Sequence, residues 1–517
     1  MIETNEQRIE RILAKLRQVR HKGLKCFGAE RHKYRLNPPI DEQSLTRFET
    51  EQGVNLPPDY RCFLKTAGNG GAGPYYGIYK LEQWKEFVDW TTDDPPENVL
   101  ALPCPLHPEM RRDSDWESQF TDYVSPYQGV ISIGSQGCTY EMGLIVTGEY
   151  AGRVVYLDAD GQAPYVVRER DFLNWYERWL DELLRGNDMF WFGYGLGGDE
   201  VRLLGLLENP ATSDADRVDA VYAIRRLPKL SPRGQERICN LTCDSVAEVR
   251  AAACYAAEKF DIVEVTKFLS DLLNDGSAEV RKAAIALAMK LKPDKHSEEV
   301  LQLLHSKDID VAERAFFRLT EEKKLTRDIL LQLVQSSPHG GLRYLAAHAV
   351  DWKTEDESLL IRLLQDEHPQ VRFYAVLGLR KIRSRSSLDA VIELLGHETD
   401  SNTIDSILRM LGEVHGEKNS DVLLEWPQTP DDFQRLCAFD SLCKLGDMRV
   451  EPVAQSLLGE TRSPTRSDEY GLPFTSHVKS IATLATESLR SSPNRDLRRL
   501  GSTLVWPKWL TFRRTSE

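Results

Sequence analysis

The sequence predicts an α+β N-terminal domain, with helices flanking a mostly antiparallel sheet, followed by an all-α solenoid. Three observations predict it. Up to about residue 190 the chain mixes helical and alternating apolar patterns, punctuated by Gly and Pro. Beyond about residue 200 only the helical period remains. In that second stretch one motif recurs at steps of 29 to 33 residues.

The N-terminal stretch reads element by element. DEQSLTRFETEQGV is a helix closed by Gly53, and LPPDYRCFLKTAGNGG opens with prolines suited to a first helical turn and ends in glycines. YGIYKL, GVISIG, EMGLIVTG and GRVVYLD read as β segments between turns. RDFLNWYERWLDELL is an amphipathic closing helix with Phe172, Trp175, Trp179 and Leu183 on one face. The boundaries that follow are 1–190 for the α+β domain, 191–200 for a junction, 201–490 for eight or nine helical units, and 491–517 for a tail or cap. The junction contains Gly193, Gly195, Gly197 and Gly198, which would permit a hinge. A glycine-rich loop can also cradle phosphate, but no strand precedes this one and no Lys-Ser/Thr follows it, so it is not a P-loop.

The repeat is carried by Arg217, Arg250, Arg281, Ala312, Arg343, Arg372, Asp405 and Arg435, with Ala220, Ala253, Ala284, Ala315, Ala346, Ala375, Leu408 and Ala438 three residues on. A ninth, degenerate unit places Lys479 and Ala482 at these positions. Each unit is two helices and a turn. A single unit cannot bury its apolar stripe, so units stack. Leu pairs such as Leu272-Leu273 and Leu363-Leu364 mark the first helix. Asp244, Asp275 and Asp366, six residues before their arginines, are placed to cap the second helix. The recurrent arginine is expected to pack its stem between units and to bond the carboxylate of the preceding turn, and the small residue lets helices approach closely.

These units resemble HEAT repeats, particularly the short variety of the phycobilisome lyases. That resemblance implies a concave surface offered to a protein partner. The N-terminal stretch resembles the SUKH superfamily through FETEQGVNLPPDYRCFLKTAGNGG (48–71), IGSQGCTYEMGLIVTG (133–148), GRVVYLDADG (152–161) and FLNWYERWL (172–180), with LPPDYRCFL the most specific block. Thr139-Tyr140 departs from the small or acidic residue many relatives carry after Gly-Cys. The resemblance implies binding rather than catalysis. Bacterial members are largely immunity proteins that neutralise a cognate toxin, and fungal relatives are regulatory hubs. The residues shared with the family, such as Phe48, Leu56, Tyr60, Phe63 and Leu64, are expected to pack rather than to form a site.

Composition narrows the chemistry. The formal net charge is −14, which disfavours nucleic acid and anionic membranes and favours a basic partner. No run approaches the roughly 18 apolar residues of a membrane helix, and MIETNEQRIERILAKLRQVR is a charged amphipathic helix rather than a secretory signal. A cytoplasmic protein is expected. Nine cysteines are scattered without a CxxC pair. Cys239 and Cys243 share a helical face but lack further ligands, and all are expected as reduced core residues. GxSxG, HExxH and P-loop patterns are missing from the sequence, so no enzyme, cofactor or metal is predicted. Asp158 and Asp160 in YLDADG read as turn formers, and His339 as a loop residue.

One interval stands out as a partner site. Between 89 and 122 the chain carries Asp89, Asp93, Asp94, Glu97, Asp113, Asp115 and Glu117, with Trp116 among them. Carboxylates would steer a basic protein and Trp116 would anchor it. The expected function is toxin neutralisation by direct binding, with a regulatory scaffold as the alternative. An enzyme or nucleic-acid-lesion binder built on a HEAT scaffold is the second alternative.

Overall fold

The structure is a computed structural model that describes residues 3–86, 98–467, 473–475 and 479–503. It divides into two compact units, Met1–Glu299 and Val300–Glu517.

The first unit begins with the α+β domain. Its helices are α1 (Asn5–Lys22), α2 (Ala29–His32), α3 (Glu42–Gln52), α4 (Pro58–Thr66) and α5 (Phe172–Arg185). Local sequence fixes their ends. Asp41 and Asp171 accept the amides of Ser44 and Asn174, and Gly23, Gly53 and Gly186 close helices in the left-handed conformation. The strands β1 (Val130–Gly137), β2 (Tyr140–Ile145), β3 (Val154–Asp158) and β4 (Tyr165–Val166) form one antiparallel sheet in sequential order.

Alternation along the strands divides two cores. Ile131, Ile133, Met142, Leu144, Val154 and Tyr156 meet α1, α4 and α5, with Trp175, Tyr176 and Trp179 fully buried between. Val130, Ile145, Val155, Leu157 and Val166 face the other way and are covered by Cys104, Leu106, Met110, Trp116, Phe120 and Tyr127. YGIYKL, expected as β, is instead an irregular segment that lies beside β1. Tyr79 N–H donates to Ile133 (2.8 Å), Ile78 makes only an isolated bridge to Gly71, and Leu81–Gln83 turns into a short 3-10 helix. Pro74 and Gly77 (φ +97°) interrupt the pleat that a ladder requires.

Helices α6 (Glu200–Glu208) and α7 (Asp214–Arg225) follow. They are succeeded by the pairs α8 (Pro232–Leu241) with α9 (Ala247–Lys259) and α10 (Leu269–Leu273) with α11 (Ala278–Leu291), then α12 (Pro293–Gln302). In the second unit come α13 (Ile309–Glu321), α14 (Arg327–Ser336), α15 (Gly340–Ala349), α16 (Glu357–Leu363), α17 (Pro369–Lys381), α18 (Leu388–Leu395), α19 (Ser401–Glu413), α20 (Asn419–Leu424), α21 (Asp432–Leu445) and α22 (Glu451–Leu458). A two-stranded ribbon, β5 (Thr465–Ser467) and β6 (Pro473–Thr475), precedes α23 (Ile481–Ser491) and α24 (Arg495–Thr503). Within each unit the second helices pack on one another: α7, α9 and α11 in the first, and α13 through α21 at every other helix in the second. The predicted alanine column lies in these contacts, and Ala220, Ala253, Ala284, Ala315, Ala346, Ala375 and Ala438 are fully buried.

The arginine column behaves partly as expected. Four of the guanidinium groups bond the preceding turn, but through that turn's backbone: Arg250 Nη1 donates to Asp244 O (2.8 Å), Arg281 to Asp275 O (2.7 Å), Arg343 to Ser337 O (3.0 Å) and Arg372 to Asp366 O (2.9 Å), whereas Arg217 and Arg435 turn this arm to Asp214 and Asp432 of their own helices. The carboxylate comes from the turn that follows. Arg217 pairs with Asp244, Arg250 with Asp275, Arg343 with Asp366, Arg372 with Glu398 and Arg435 with Glu460. The preceding turn's aspartate, expected to cap the second helix, instead closes the turn just before it, since Asp275 Oδ1 accepts Ser277 N–H (2.8 Å) and Asp366 Oδ1 accepts His368 N–H (2.8 Å), each from the N-cap residue itself. Where Ala312 replaces arginine, His339 of the next turn reaches back, its Nε2 2.8 Å from Ser306 O. The last such arginine is Arg498 in α24, which donates to Ser492 O (2.7 Å) and has Gly501 three residues on. Lys479 and Ala482 of the degenerate unit lie at the start of α23, which packs on α21, and Arg498 repeats the carbonyl contact one helix further on.

Candidate functional site

The glycine-rich junction is anchored from three directions. Phe192 is buried in the first core, and its carbonyl accepts the hydroxyls of Tyr75 and Tyr156 (both 2.9 Å). Gly195 N–H donates to Tyr165 Oη (2.8 Å), and Arg226 of the helical stretch donates to Leu196 O. A Cβ at Gly193 (φ +89°) would lie 1.9 Å from Tyr156 Oη, so this position admits only glycine. The segment is seated, and its glycines serve close approach.

That seating pushes two large rings outward. Asp188 Oδ1 accepts the amide of Phe190 (3.0 Å) and turns the chain, leaving Phe190 73% and Trp191 44% exposed. Trp191 holds φ +58°, a left-handed conformation that is strained for a bulky side chain, and Tyr75 and Cys138 nearby hold +51°. Trp191 stands edge-on to Phe190 (5.4 Å), Tyr140 (5.6 Å) and Tyr194 (5.6 Å). Tyr194 stacks on Tyr165 (4.8 Å), and Arg112 lies over the Tyr165 ring (5.0 Å). On the far side of the β1–β2 turn, Tyr76 covers Gly137, and the 61%-exposed Phe27 packs against Tyr76 (5.2 Å). The result is a track of part-exposed aromatic rings from Phe27 to Tyr165 on one end of the sheet.

The acidic loop adjoins this track through Arg112. Asp113, Asp115 and Glu117 are exposed, with Arg111 3.7 Å from Asp113 and 3.9 Å from Asp115. Trp116 points the other way. It is 2% exposed, packs on Phe120 and Tyr127, and donates its indole N–H to Gly161 O (2.9 Å). An anchor must be reachable from solvent, so Trp116 is a core residue that holds the loop, and the exposed tryptophan of this face is Trp191. Asp89, Asp93, Asp94 and Glu97 lie outside the described residues. Sequence reading passed over Phe190, Trp191, Tyr140 and Phe27. The usable signal was FWFGY, a dense aromatic run between polar and glycine residues.

Of the other candidates, Asp158 is a turn former whose Oδ1 accepts Asp160 N–H (3.2 Å). Of the nine cysteines expected in the core, Cys138 and Cys243 are exposed and Cys26 and Cys62 half-buried, while Cys239 and the other four are buried; all nine are free thiols. Among the described residues, no group of three or more His, Cys, Asp or Glu is disposed to hold a metal ion, and no helix is long and apolar enough to cross a membrane. Glu141 is a buried carboxylic acid on β2 with Tyr79 Oη at 3.4 Å, and Oε2 has no partner among the described residues. Burial raises it to about 7 against the lowering by Ser135 and Tyr79, with Glu86 adding to the rise.

Comparison with known proteins gives the following. Residues 39–178 match the model of the SMI1 / KNR4 family (SUKH-1), and residues 357–443 match the model of HEAT repeats. No curated protein matches the chain. Among solved structures, YibA of Escherichia coli is 20% identical, with 57% of this chain and 93% of that chain covered and a TM-score of 0.33. Kap95p, in its complex with RanGDP, is 11% identical, with 61% and 48% covered and a TM-score of 0.37. The CpcE–CpcF complex of phycocyanin lyase from Nostoc is 16% identical, with 51% and 96% covered and a TM-score of 0.21.

Proposed function

We propose, for a chain in which a SUKH-1 domain is joined to HEAT repeats, a non-enzymatic cytoplasmic immunity protein that neutralises a cognate bacterial toxin by binding it. This architecture is consistent with a protein-interaction scaffold. The observation that carries the reading further is the aromatic track that runs through Trp191 to Tyr165, where Arg112 joins it to the loop bearing the exposed carboxylates of Asp113, Asp115 and Glu117. Exposed, pre-positioned Trp and Tyr rings supply binding energy when a partner desolvates them, and adjacent carboxylates favour a partner with a basic surface. Strain at Trp191 supports the same reading, because left-handed backbone at a bulky residue persists where presentation of the side chain matters.

The test is protection. The neighbourhood of its gene is searched for a toxin gene, and the chain is co-expressed with the toxin found there. Restored growth, co-purification of the two proteins and loss of both with Trp191→Ala are expected. A chain that binds the toxin without protecting the cell would shift the reading to a regulatory scaffold. Absence of both binding and protection would remove the immunity role.

A further inference from the structure

A cleft of about 580 Å³ opens where the end of the sheet domain meets the first helix of the repeats, within the first unit. Its walls are Arg168 and Arg170 before α5, Arg178 and Arg185 on α5, Gly197 and Gly198 of the junction, and Arg202 on α6. Five arginines around one cleft are unusual in a chain of net charge −14.

The carboxylates of the same walls are already paired. Glu177 is held by Arg11 and Lys15, Asp181 by Lys15, and Glu169 by Arg178. Arg168 is committed to Asp216 and Asp219. Arg170 and Arg202 are exposed and have no carboxylate partner among the described residues.

Deeper in, Arg178 is 8% exposed. Its Nε donates to Glu182 (2.8 Å) and its Nη1 to Glu169 (2.8 Å) and Gly195 O (3.0 Å), while Nη2 has no partner. A buried guanidinium N–H left unmade costs free energy, and such a group calls for an acceptor. Gly197 crosses directly over it, where a Cβ would fall 2.2 Å from Arg178 Nε. The amides of Gly197 and Gly198 have no acceptor among the described residues. Consecutive free amides beside guanidinium groups are the donor set that oxyanions take, and planar arginine forks suit phosphate in particular.

We propose that this cleft binds a phosphate-type oxyanion, with Arg170 and Arg202 closing on it from either wall and Gly197–Gly198 presenting backbone N–H donors over Arg178. The glycine-rich junction then acts as an anion cradle of a kind unrelated to a P-loop. The site is independent of the aromatic face and of any toxin.

The test uses the full chain. Calorimetric titration with pyrophosphate, at constant ionic strength, is expected to give one site per chain, weakened tenfold or more by Arg170→Gln and by Arg202→Gln. Citrate serves as the carboxylate control and is expected to bind more weakly. Arginine labelling by phenylglyoxal, read by mass spectrometry on the unmodified sequence, covers the case in which the variants misfold. Pyrophosphate should protect Arg170 and Arg202 and leave Arg233, which is outside the lining of the cleft, reactive. No saturable heat, binding undiminished in both folded variants, citrate binding more tightly than pyrophosphate, or labelling unchanged at Arg170 and Arg202 would each overturn the assignment.

Discussion

Arg250 grips Asp275 of the next helix pair through two parallel hydrogen bonds of 2.9 Å each, while its remaining arm holds the carbonyl of Asp244 behind it. One side chain thus ties three consecutive segments. Truncating either partner, Arg250→Ala or Asp275→Ala, should cost about 2 kcal/mol, and a double-mutant cycle by urea unfolding should return a coupling of roughly 1–2 kcal/mol. Strictly additive losses would mean that the pair is decorative.

The same rung should weaken in acid. Burial raises the Asp275 carboxyl, but the hydrogen bonds from Arg250 and Ser277 and the charge of Arg250 outweigh it, so the net shift is downward. A depressed carboxyl stabilises the fold above its unfolded value near 4 and loses that contribution as pH falls through the folded value. Between pH 5 and pH 3, Asp275→Asn should therefore flatten the decline in stability seen for the parent chain.

Glu141 predicts the opposite sign. Its folded value is raised to about 7, so the folded state holds a proton that the unfolded state releases between about 4.5 and 7. Stability falls as pH rises through that window, by about 3 kcal/mol at most. Glu141→Gln should leave the urea midpoint at pH 5 nearly unchanged and raise it at pH 8. Identical pH profiles for the two proteins would show that Glu141 is solvated.

Two tryptophans separate folding from binding. Trp116→Ala empties a core position and should cost about 3–5 kcal/mol, visible as a lowered melting temperature. Trp191→Gly removes an exposed ring and relieves a left-handed backbone, so it should leave stability within about 1 kcal/mol while speeding partner dissociation by roughly tenfold or more. Equal effects of both substitutions on melting would contradict the placement of the two side chains.

Neutralising Asp113, Asp115 and Glu117 together should act on encounter. Association with a basic partner should slow at low salt and converge with the parent rate as screening grows, with dissociation little changed. Surface-immobilised binding at several ionic strengths reads both rates.

What could be read from the sequence was what is local. The Arg and Ala columns show because each repeats at regular steps, and a helix end such as Gly53 shows because capping is settled within four residues. Partners distant in sequence did not show. The preceding aspartate was adjacent and chemically suitable for Arg250, yet the carboxylate used lies 25 residues on. Trp116 and Trp191 both sit among polar neighbours. Only the folded β3–β4 turn, which brings Gly161 O to the Trp116 indole, separates the buried ring from the exposed one. The glycines of 193–198 read as freedom because the Tyr75, Tyr156 and Tyr165 hydroxyls that pin this segment come from elsewhere in the domain.

The substitution of a histidine rung for an arginine one has a mechanical consequence. In the second unit Arg343 and Arg372 are each riveted to the following turn by charged, two-pronged bonds, whereas at Ala312, where the arginine is missing, the turns are joined by the His339 to Ser306 contact. Under tension along the chain, a step without the arginine rivet acts as a fuse. It yields at lower load than the riveted steps, and because repeats cohere only through their nearest neighbours, the rupture stops there instead of running through the helices behind it.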